Sequence, residues 1–369
     1  MLPATKEKPA GDQKAAQRTI LPNSFVKAST RTVEPFYDTT TALGAAAITL
    51  QPIDVPATGW LRHIVLDVDG SGFAGMAYLA DGPWSAIQQI MFTDSNGHPV
   101  VLLSRFDLRL ACMMGGYAAF GDPAAYPGYA AGAAAFSFQL RIPLEIVQRN
   151  ALGALPNANA AMSYKVHITL APMASIFVAP PAACNVRVQA HVESRPQPPP
   201  ASELDGSPNM TTPPASGTTQ NWSSYTAPVV VGANTIRLPR VGNTIRNLIF
   251  VNRDAAGART DAGLPTQIGL FLDGSQVVRQ SMAYGRMRLY ELYGYGVADR
   301  PAGVDLLTSY TDDFDGTPGE ELGEYWLLTS GATRLEVQGI WTAPGSLTVI
   351  TNDILAHAES GGAGQTLGN

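Results

Sequence analysis

The sequence predicts an all-β fold built from two similar β-sandwiches in tandem. Its 369 residues exceed the size at which a single hydrophobic core usually stops growing, about 250 to 300 residues, so two domains are expected. Only 15% of the residues are charged and 45% are hydrophobic, with 36 glycines and 28 prolines, which favours short strands and turns over helical bundles. An ordered repeat between the two halves of the chain is the third observation.

The first matching segment is a strand. WLRHIVL at 60–66 matches TIRNLIF at 244–250, which aligns Arg62 with Arg246 and aliphatic residues with aliphatic residues. We expect the two arginines to occupy the same position of equivalent strands.

A β-hairpin follows in both halves. FTDSNGHPVV at 92–101 matches FLDGSQVV at 271–278, which aligns Phe92 with Phe271 across hairpins of slightly different length. Turn residues between two aliphatic runs are the usual signature of such a hairpin.

The third match has the period of a helix. LRLACMMGGY at 108–117 matches MRLYELYGY at 287–295, and apolar residues recur there at helical spacing. We expect flanking helices over 104–116 and 283–294. The order strand, hairpin, strand, helix thus occurs twice and predicts a duplication, although two unrelated sandwiches that share common β-protein turns are the alternative.

Each half has the length of an eight-stranded jelly-roll sandwich with elaborated loops, roughly 120 to 180 residues. Between the halves lies a segment rich in Pro, Ser and Thr with few aliphatic residues, which cannot bury enough apolar surface to form a core. The predicted organisation is an N-terminal arm (1–30), a first jelly roll (31–192), a linker (193–225), a second jelly roll (226–358) and a flexible tail (359–369).

Charge and targeting signals narrow the function. The net charge of −6 is unlike that of a nucleic-acid binder, so no direct sequence-specific contact with nucleic acid is expected. The sequence contains neither the apolar core of a secretory signal nor a run of about 18 apolar residues, and we expect synthesis in the cytoplasm. Cys112 and Cys184 are predicted to be buried free thiols.

Two longer motifs carry a family resemblance. LADGPWSAIQQIMFTDSNGHPV at 79–100 is a Gly-Pro turn followed by strand, hairpin and strand. RIPLEIVQRNALGALPNANAAMSYKVHITLAP at 141–172 is a strand end, a short helical stretch and an alternating strand. Both resemble the double jelly-roll major capsid proteins of tailless, membrane-containing icosahedral double-stranded DNA phages, the tectivirus type, which are distant relatives of the adenovirus hexon.

The resemblance implies two eight-stranded jelly rolls side by side in each subunit and a homotrimer with a pseudo-hexagonal outline. It implies a structural protein of the virion that self-assembles without catalysis. Its partners would be itself, then other virion proteins such as penton and minor capsid proteins. An inner viral membrane is a further partner, reached through the basic N-terminal arm that carries Lys6, Lys8, Lys14 and Arg18. A solvated N-terminus without a partner is the alternative for this arm.

The sequence contains few motifs typical of a catalytic or metal-binding site. The five histidines show no zinc-binding spacing, and the sequence lacks nucleophile-elbow and phosphate-loop motifs, so no catalytic residue, metal or cofactor is predicted. His167 and His191 fall in strands and are expected to be structural. We interpret the acidic stretch with Asp312, Asp313, Asp315, Glu320 and Glu321 as a solvated loop, with calcium binding as the alternative.

The aromatic stretch at 284–296 is expected to pack as a helix on its sandwich instead of stacking on nucleic acid. Two other function classes stay open. One is a carbohydrate- or receptor-binding β-sandwich, such as a virion spike, and the other is a two-domain secreted enzyme that acts on glycosides.

Overall fold

The computed structural model describes residues 21–79, 81–104, 106–115, 134–214, 216, 218–293, 301–309 and 326–355. These residues form nineteen β-strands and three short α-helices. None of the helices in these ranges is long and apolar enough to span a membrane. The all-β prediction is confirmed.

The first half begins with helix α1 (Phe25–Ala28) and contains ten strands and a second helix. In chain order they are β1 (Thr32–Ala42), β2 (Ile48–Thr49), β3 (Ile53–Asp54), β4 (Gly59–Ser71), β5 (Ile87–Thr93), β6 (Pro99–Ser104), α2 (Asp107–Met114), β7 (Phe136–Pro143), β8 (Leu155–Asn157), β9 (Lys165–Leu170) and β10 (Asn185–Arg195).

The second half contains nine strands and one helix. They are β11 (Thr219–Val229), β12 (Gly232–Leu238), β13 (Thr244–Asp254), β14 (Gln267–Leu272), β15 (Ser275–Ser281), α3 (Met282–Tyr293), β16 (Val304–Ser309), β17 (Leu327–Leu328), β18 (Leu335–Trp341) and β19 (Gly345–Leu355).

The two halves have the same strand order. In the first, one sheet runs β1-β10-β4-β7 with β8 beside β4, and the other runs β6-β5-β9-β2 with β3 beside β9. In the second, the corresponding sheets run β11-β19-β13-β16 with β17 beside β13, and β15-β14-β18-β12. Each half is therefore a sandwich of two four-stranded sheets with jelly-roll order, and the prediction of two tandem jelly rolls is confirmed.

The two arginines that marked the repeat occupy equivalent positions. Arg62 in β4 is the extra residue of a β-bulge against β10, between the paired residues His63 and Leu61. Arg246 in β13 is the extra residue of a bulge against β19, between Ile245 and Asn247. Because a bulge inserts one unpaired residue into a strand and shifts the register by one, both arginines are displaced from the regular pairing in the same way.

The hairpin alignment was wrong by one residue. Phe92 pairs with Val101 on β6, but its structural counterpart, the residue that pairs with Val278 on β15, is Leu270. Both hairpins carry a bulge at this point, between Phe92 and Thr93 and between Leu270 and Phe271, so the offset arises in the turn, which is one residue shorter in the second hairpin. Since side chains alternate faces along a strand, one residue of offset moves Phe271 out of the core-facing position.

The two predicted flanking helices are present, and each follows the hairpin of its sandwich. All eight residues of α2 are buried. The expectation that the aromatic stretch of α3 packs on its sandwich was wrong for part of the helix, because Tyr284, Met287 and Tyr290 are 49%, 51% and 62% exposed. The stretch beyond residue 293 lies outside the described residues.

The connection between the sandwiches is shorter than the predicted linker 193–225. Strand β10 continues through Arg195, because Glu193 to Arg195 are buried and pair with β4. Strand β11 begins at Thr219, within the predicted linker. The N-terminal arm is also shorter than predicted. Phe25 of α1 is buried against Trp60, with ring centroids 6.1 Å apart, so residues 21–30 belong to the folded unit.

Strand β13 contributes side chains to the cores of both sandwiches. Nine consecutive residues, 245–253, are buried, in place of the alternation expected for a strand with one wet face. Ile245, Leu248 and Phe250 belong to the core of the second sandwich, whereas Ile249 and Val251 belong to the core cluster of the first. The sheet that contains β13 is thus covered on both faces. Cys112 and Cys184 are buried and free, as predicted.

Trp222 of β11 is the largest side chain that the second half contributes to the core cluster of the first, and it is 1% exposed. We expect Trp222→Ala to lower the free energy of unfolding by about 3 to 5 kcal/mol, because it leaves a large cavity where the sandwiches meet. Urea unfolding at fixed protein concentration measures this. The control is Val230→Ala, just beyond β11 and 61% exposed, which should change stability by less than about 0.5 kcal/mol. Equal losses in both variants would contradict the assignment.

Candidate interface between the two jelly rolls

The two sandwiches are joined by main-chain pairing. Strand β6, an edge of the first jelly roll, pairs in parallel with β11, an edge of the second, through Trp222 opposite Val101 and Ser223 opposite Leu102. This pairing, here called the sandwich joint, merges one sheet of each half into a single ten-stranded sheet. It satisfies edge groups that would otherwise be open to other chains.

Beside the sandwich joint lies an ion cluster of four residues, two from each half: Asp81, Asp107, Arg253 and Arg259. Arg253 Nη1 lies 2.6 Å from Asp81 Oδ2, and Arg259 Nε lies 2.5 Å from Asp81 Oδ1. The guanidinium of Arg259 also lies over the ring of Phe106, 4.5 Å from its centroid. One carboxylate of the first half thus receives two cations of the second, which orients the halves relative to each other.

Asp107 has no arginine of its own in this cluster. Burial raises the pKa of Asp107 to about 6, although hydrogen bonds from Ser224 and Ser104 and the charge of Arg253 act to lower it. The Ser104 hydroxyl donates to Asp107 Oδ2 at 3.1 Å. Because Ser224 belongs to β11, this buried carboxyl is part of the contact between the halves.

A cavity of about 290 Å³ opens next to this cluster. Its walls carry Asp107, Arg253 and hydroxyl groups from both halves, among them Ser104, Thr226 and Thr348. Groups of this kind hold water by hydrogen bonding. The cavity is thus a polar pocket formed by both halves beside the sandwich joint.

A second polar contact centres on Glu145 of the first half. Arg62 donates to both carboxylate oxygens of Glu145, at 2.9 Å from Nε and 2.6 Å from Nη2. Gln220 of β11 donates from Nε2 to the Glu145 carbonyl at 2.7 Å, and Arg246 donates to the Ile146 carbonyl at 3.2 Å. The two repeated arginines therefore hold consecutive residues of one segment, Arg62 through the side chain of Glu145 and Arg246 from across the interface.

Glu193, at the end of β10, forms a third set of polar contacts, with His63 and Arg31. His63 Nε2 lies 2.9 Å from Glu193 Oε2, and Arg31 Nη2 lies 2.7 Å from the same oxygen. Burial raises the pKa of Glu193, but the hydrogen bond and charge of His63 and the charge of Arg31 outweigh it and lower the pKa to about 2. The carboxylate therefore fixes the strand end to the residues that precede β1.

The structure describes only some of the residues that the sequence singled out. Lys6, Lys8, Lys14 and Arg18 lie outside the described residues, as do all members of the acidic stretch from Asp312 to Glu321. His167 lies in β9, with Nε2 3.5 Å from Thr93 Oγ1, and His191 lies in β10, with Nδ1 3.2 Å from Asp67 Oδ2. Within the described ranges, His, Cys, Asp and Glu form no group of three that could hold a metal ion.

Sequence reasoning missed Asp81, Asp107, Glu145, Arg253 and Arg259. The available signal was the position of charged residues next to buried strands, as in the Asn-Arg-Asp end of β13. That signal could not assign partners, because Arg259 and Asp81 are 178 positions apart in the chain.

Comparison with solved structures identifies the fold. A chain from Sulfolobus turreted icosahedral virus superposes with a TM-score of 0.61 at 13% identity, covering 89% of this chain and 92% of that chain. The capsid of PBCV-1 virus gives 0.60 at 12% identity and covers 88% and 94%. The major capsid protein P2 of bacteriophage PM2 gives 0.52 at 13% identity and covers 90% and 100%. No protein-family model and no curated protein sequence matches the chain.

At these identities the likeness defines the fold, which is the double jelly roll present in these viral structures. The similarity extends over both sandwiches and their connection, since about nine tenths of the chain is covered in each comparison. The resemblance noted in the sequence is thereby confirmed at the level of fold.

Asp107 gives the interface a defined pH dependence. Because folding raises its pKa from 3.8 to about 6, the folded protein binds this proton more tightly than the unfolded chain does. The resulting stability is fully present below about pH 3.8 and is lost as the pH rises through about 6. Asp107→Asn stays neutral, so we expect its stability relative to the unmodified protein to rise by about 2 kcal/mol between pH 4 and pH 7.5.

Urea unfolding at the two pH values measures this difference. Glu203→Gln, in the exposed part of the connection, is the control and should follow the unmodified protein at both pH values. A stability difference for Asp107→Asn that does not change with pH would contradict the assignment.

Proposed function

We propose that the chain is a major capsid protein that forms homotrimeric, pseudo-hexagonal capsomers of an icosahedral virion. The observation that carries the proposal is the pairing of two jelly rolls of identical strand order in one chain through the sandwich joint. Three such chains around a threefold axis present six similar lobes, an outline that tiles a facet. The solved structures with this fold include proteins described as viral capsid components.

The proposed mode of action is self-association without catalysis. Charged side chains at the interface are engaged in structural ion pairs, within the first half for Arg62 with Glu145 and between the halves for Arg253 with Asp81. We propose that each jelly roll is one domain, with the boundaries near 192 and 226 adjusted to the end of β10 and the start of β11. The further partners we propose are penton and minor capsid proteins of the same virion.

The oligomeric state tests this proposal most directly. We expect native mass spectrometry of the purified protein to give about 117 kDa, three times the chain mass of 39.0 kDa, and this mass should persist on dilution to micromolar concentration. An obligate interface of this kind buries upward of about 2,000 Å². A stable monomer would contradict the proposal and favour a carbohydrate- or receptor-binding module.

We further propose that the N-terminal arm contacts the inner viral membrane. Lys6, Lys8, Lys14 and Arg18 give a locally basic end to an acidic protein, and each such charge contributes about 1 kcal/mol near an anionic bilayer. This attraction falls off within about 8 to 10 Å at physiological salt, so it requires close approach.

Deletion of residues 1–20 should leave the 117 kDa species intact and reduce co-flotation with phosphatidylserine-containing vesicles. The matched control replaces the same four basic residues with glutamine in the full-length chain, which should reproduce the loss. Vesicles of phosphatidylcholine alone should bind neither protein. Undiminished flotation of the deletion variant at low salt would contradict a role of the arm at the membrane.

A further inference from the structure

We propose that the sandwich joint is repeated between subunits of the trimer. In this arrangement, β15 of one subunit pairs in parallel with β1 of the next, placing Val278 opposite Val33 and Arg279 opposite Glu34. The inference rests on the proposed trimer and specifies the interface that closes it.

The strand order supplies the two edges. Within the chain, the joined edge strands are β6 and β11. Strand β6 is the edge of the sheet β6-β5-β9-β2 of the first jelly roll, and β11 is the edge of the sheet β11-β19-β13-β16 of the second. Their counterparts by strand order are β15 and β1. Among the described residues, β15 pairs only with β14, and β1 pairs only with β10, so each has one free edge.

The register on β15 follows from the hairpin. Val101 pairs with Phe92, which pairs with Val166 on the next strand. A bulge follows this row, between Phe92 and Thr93, and the row of the second jelly roll that is followed by the same bulge is Val278, Leu270 and Val337. Val278 therefore corresponds to Val101, and Arg279 corresponds to Leu102.

The register on β1 follows from the shared bulge. Immediately beyond the bulge at Arg62, β10 presents Glu193, which pairs with Val33. Immediately beyond the bulge at Arg246, β19 presents Asn352, which pairs with Trp222. Val33 therefore corresponds to Trp222, and Glu34 corresponds to Ser223.

The residues that this register brings together are complementary. Val33 is 51% exposed, while its counterpart Trp222 is 1% exposed in the sandwich joint. Val278 packs against the core cluster of the second jelly roll, so Val33 of a neighbour would extend that core. Glu34 and Arg279 are both exposed and carry opposite charges, and within the described part of the chain neither makes an ion pair. The corresponding pair inside the chain, Ser223 and Leu102, is uncharged.

The helices give an independent reason to place a neighbour there. Helix α2 follows β6 and is buried throughout, and its Asp107 receives a hydrogen bond from Ser224 of the adjoining β11. Helix α3 follows β15 in the same way, yet exposes Tyr284, Met287 and Tyr290. Strand β1 of a neighbouring subunit, placed beside β15 as β11 is beside β6, would lie against the first turn of this helix, where Tyr284 is exposed.

Closure of the ring also favours the pairing. Three two-domain chains contain three sandwich joints, and three equivalent joints between chains complete a ring of six jelly rolls. The edges of β1, β6, β11 and β15 are then all paired in every subunit. This pairing removes the sites where further chains could add and form fibrils.

Cysteine cross-linking tests the register. Paired strands lie about 4.8 Å apart, within the Cα separations of about 4.4 to 6.8 Å that disulfides span. We expect the double variant Val33→Cys/Val278→Cys to run as a covalent trimer on a non-reducing gel after mild oxidation. The native cysteines are buried and should give little background. The control Val33→Cys/Val231→Cys places the second thiol at another exposed valine and should not cross-link.

Charge exchange tests the same register without new covalent bonds. Glu34→Arg and Arg279→Glu should each raise the trimer dissociation constant about tenfold or more, because each places like charges opposite one another at three joints. The combined variant should restore the unmodified value. Glu203→Arg, a charge reversal in the connection, is the control and should have no effect.

The outcomes separate this inference from the proposed function. A 117 kDa trimer that neither cross-links through residues 33 and 278 nor responds to the charge reversals would overturn the inference and leave the capsid proposal standing. A monomer would overturn both. A covalent trimer together with charge restoration would establish the register.

Discussion

Main-chain pairing between β6 and β11 is the contact on which the arrangement of the two jelly rolls depends. It merges one sheet of each sandwich into a single larger sheet and brings Trp222 into the core cluster of the first half. Because that cluster also includes Ile249 and Val251 of β13, the second jelly roll completes the core of the first. The protein is therefore one continuous packed structure with two repeated units, and separation of the halves would expose apolar surface on both.

Polar groups define the geometry that apolar packing leaves open. Hydrophobic contact is non-directional, whereas Arg62 and Arg246 hold the consecutive residues Glu145 and Ile146 through directed hydrogen bonds. On the other side of the interface, Asp81 receives Arg253 and Arg259. Burying these charges costs solvation free energy, which pairing largely offsets, so their principal effect is to fix orientation. The angle between the two jelly rolls is thereby fixed by directed contacts as well as by apolar packing.

The interface inside the chain pairs β6 with β11, and the interface proposed between chains pairs their counterparts, β15 and β1. The side chains at the two interfaces differ in chemistry. Inside the chain, a buried tryptophan and a neutral pair suffice, because the connection keeps the halves together. In the contact proposed between chains, the equivalent positions carry Glu34 and Arg279. Opposite charges suit the association of separate molecules, because they steer the encounter and disfavour incorrect registers. In this proposal, the duplicated edges are equivalent and divergence at a few residues gives each a distinct partner.

The sequence by itself determined the class of fold, the duplication and the equivalence of Arg62 with Arg246. These follow from local periodicity and from the order of matching segments, which are properties of neighbouring residues. It placed the hairpin one residue out of register, extended the linker into β10 and β11, and expected the aromatic face of α3 to be covered. It also gave no indication that Asp81 meets Arg253 and Arg259. Tertiary structure decided these points, because a bulge, a strand pair between distant edges and an ion cluster each depend on groups that the chain separates by many residues.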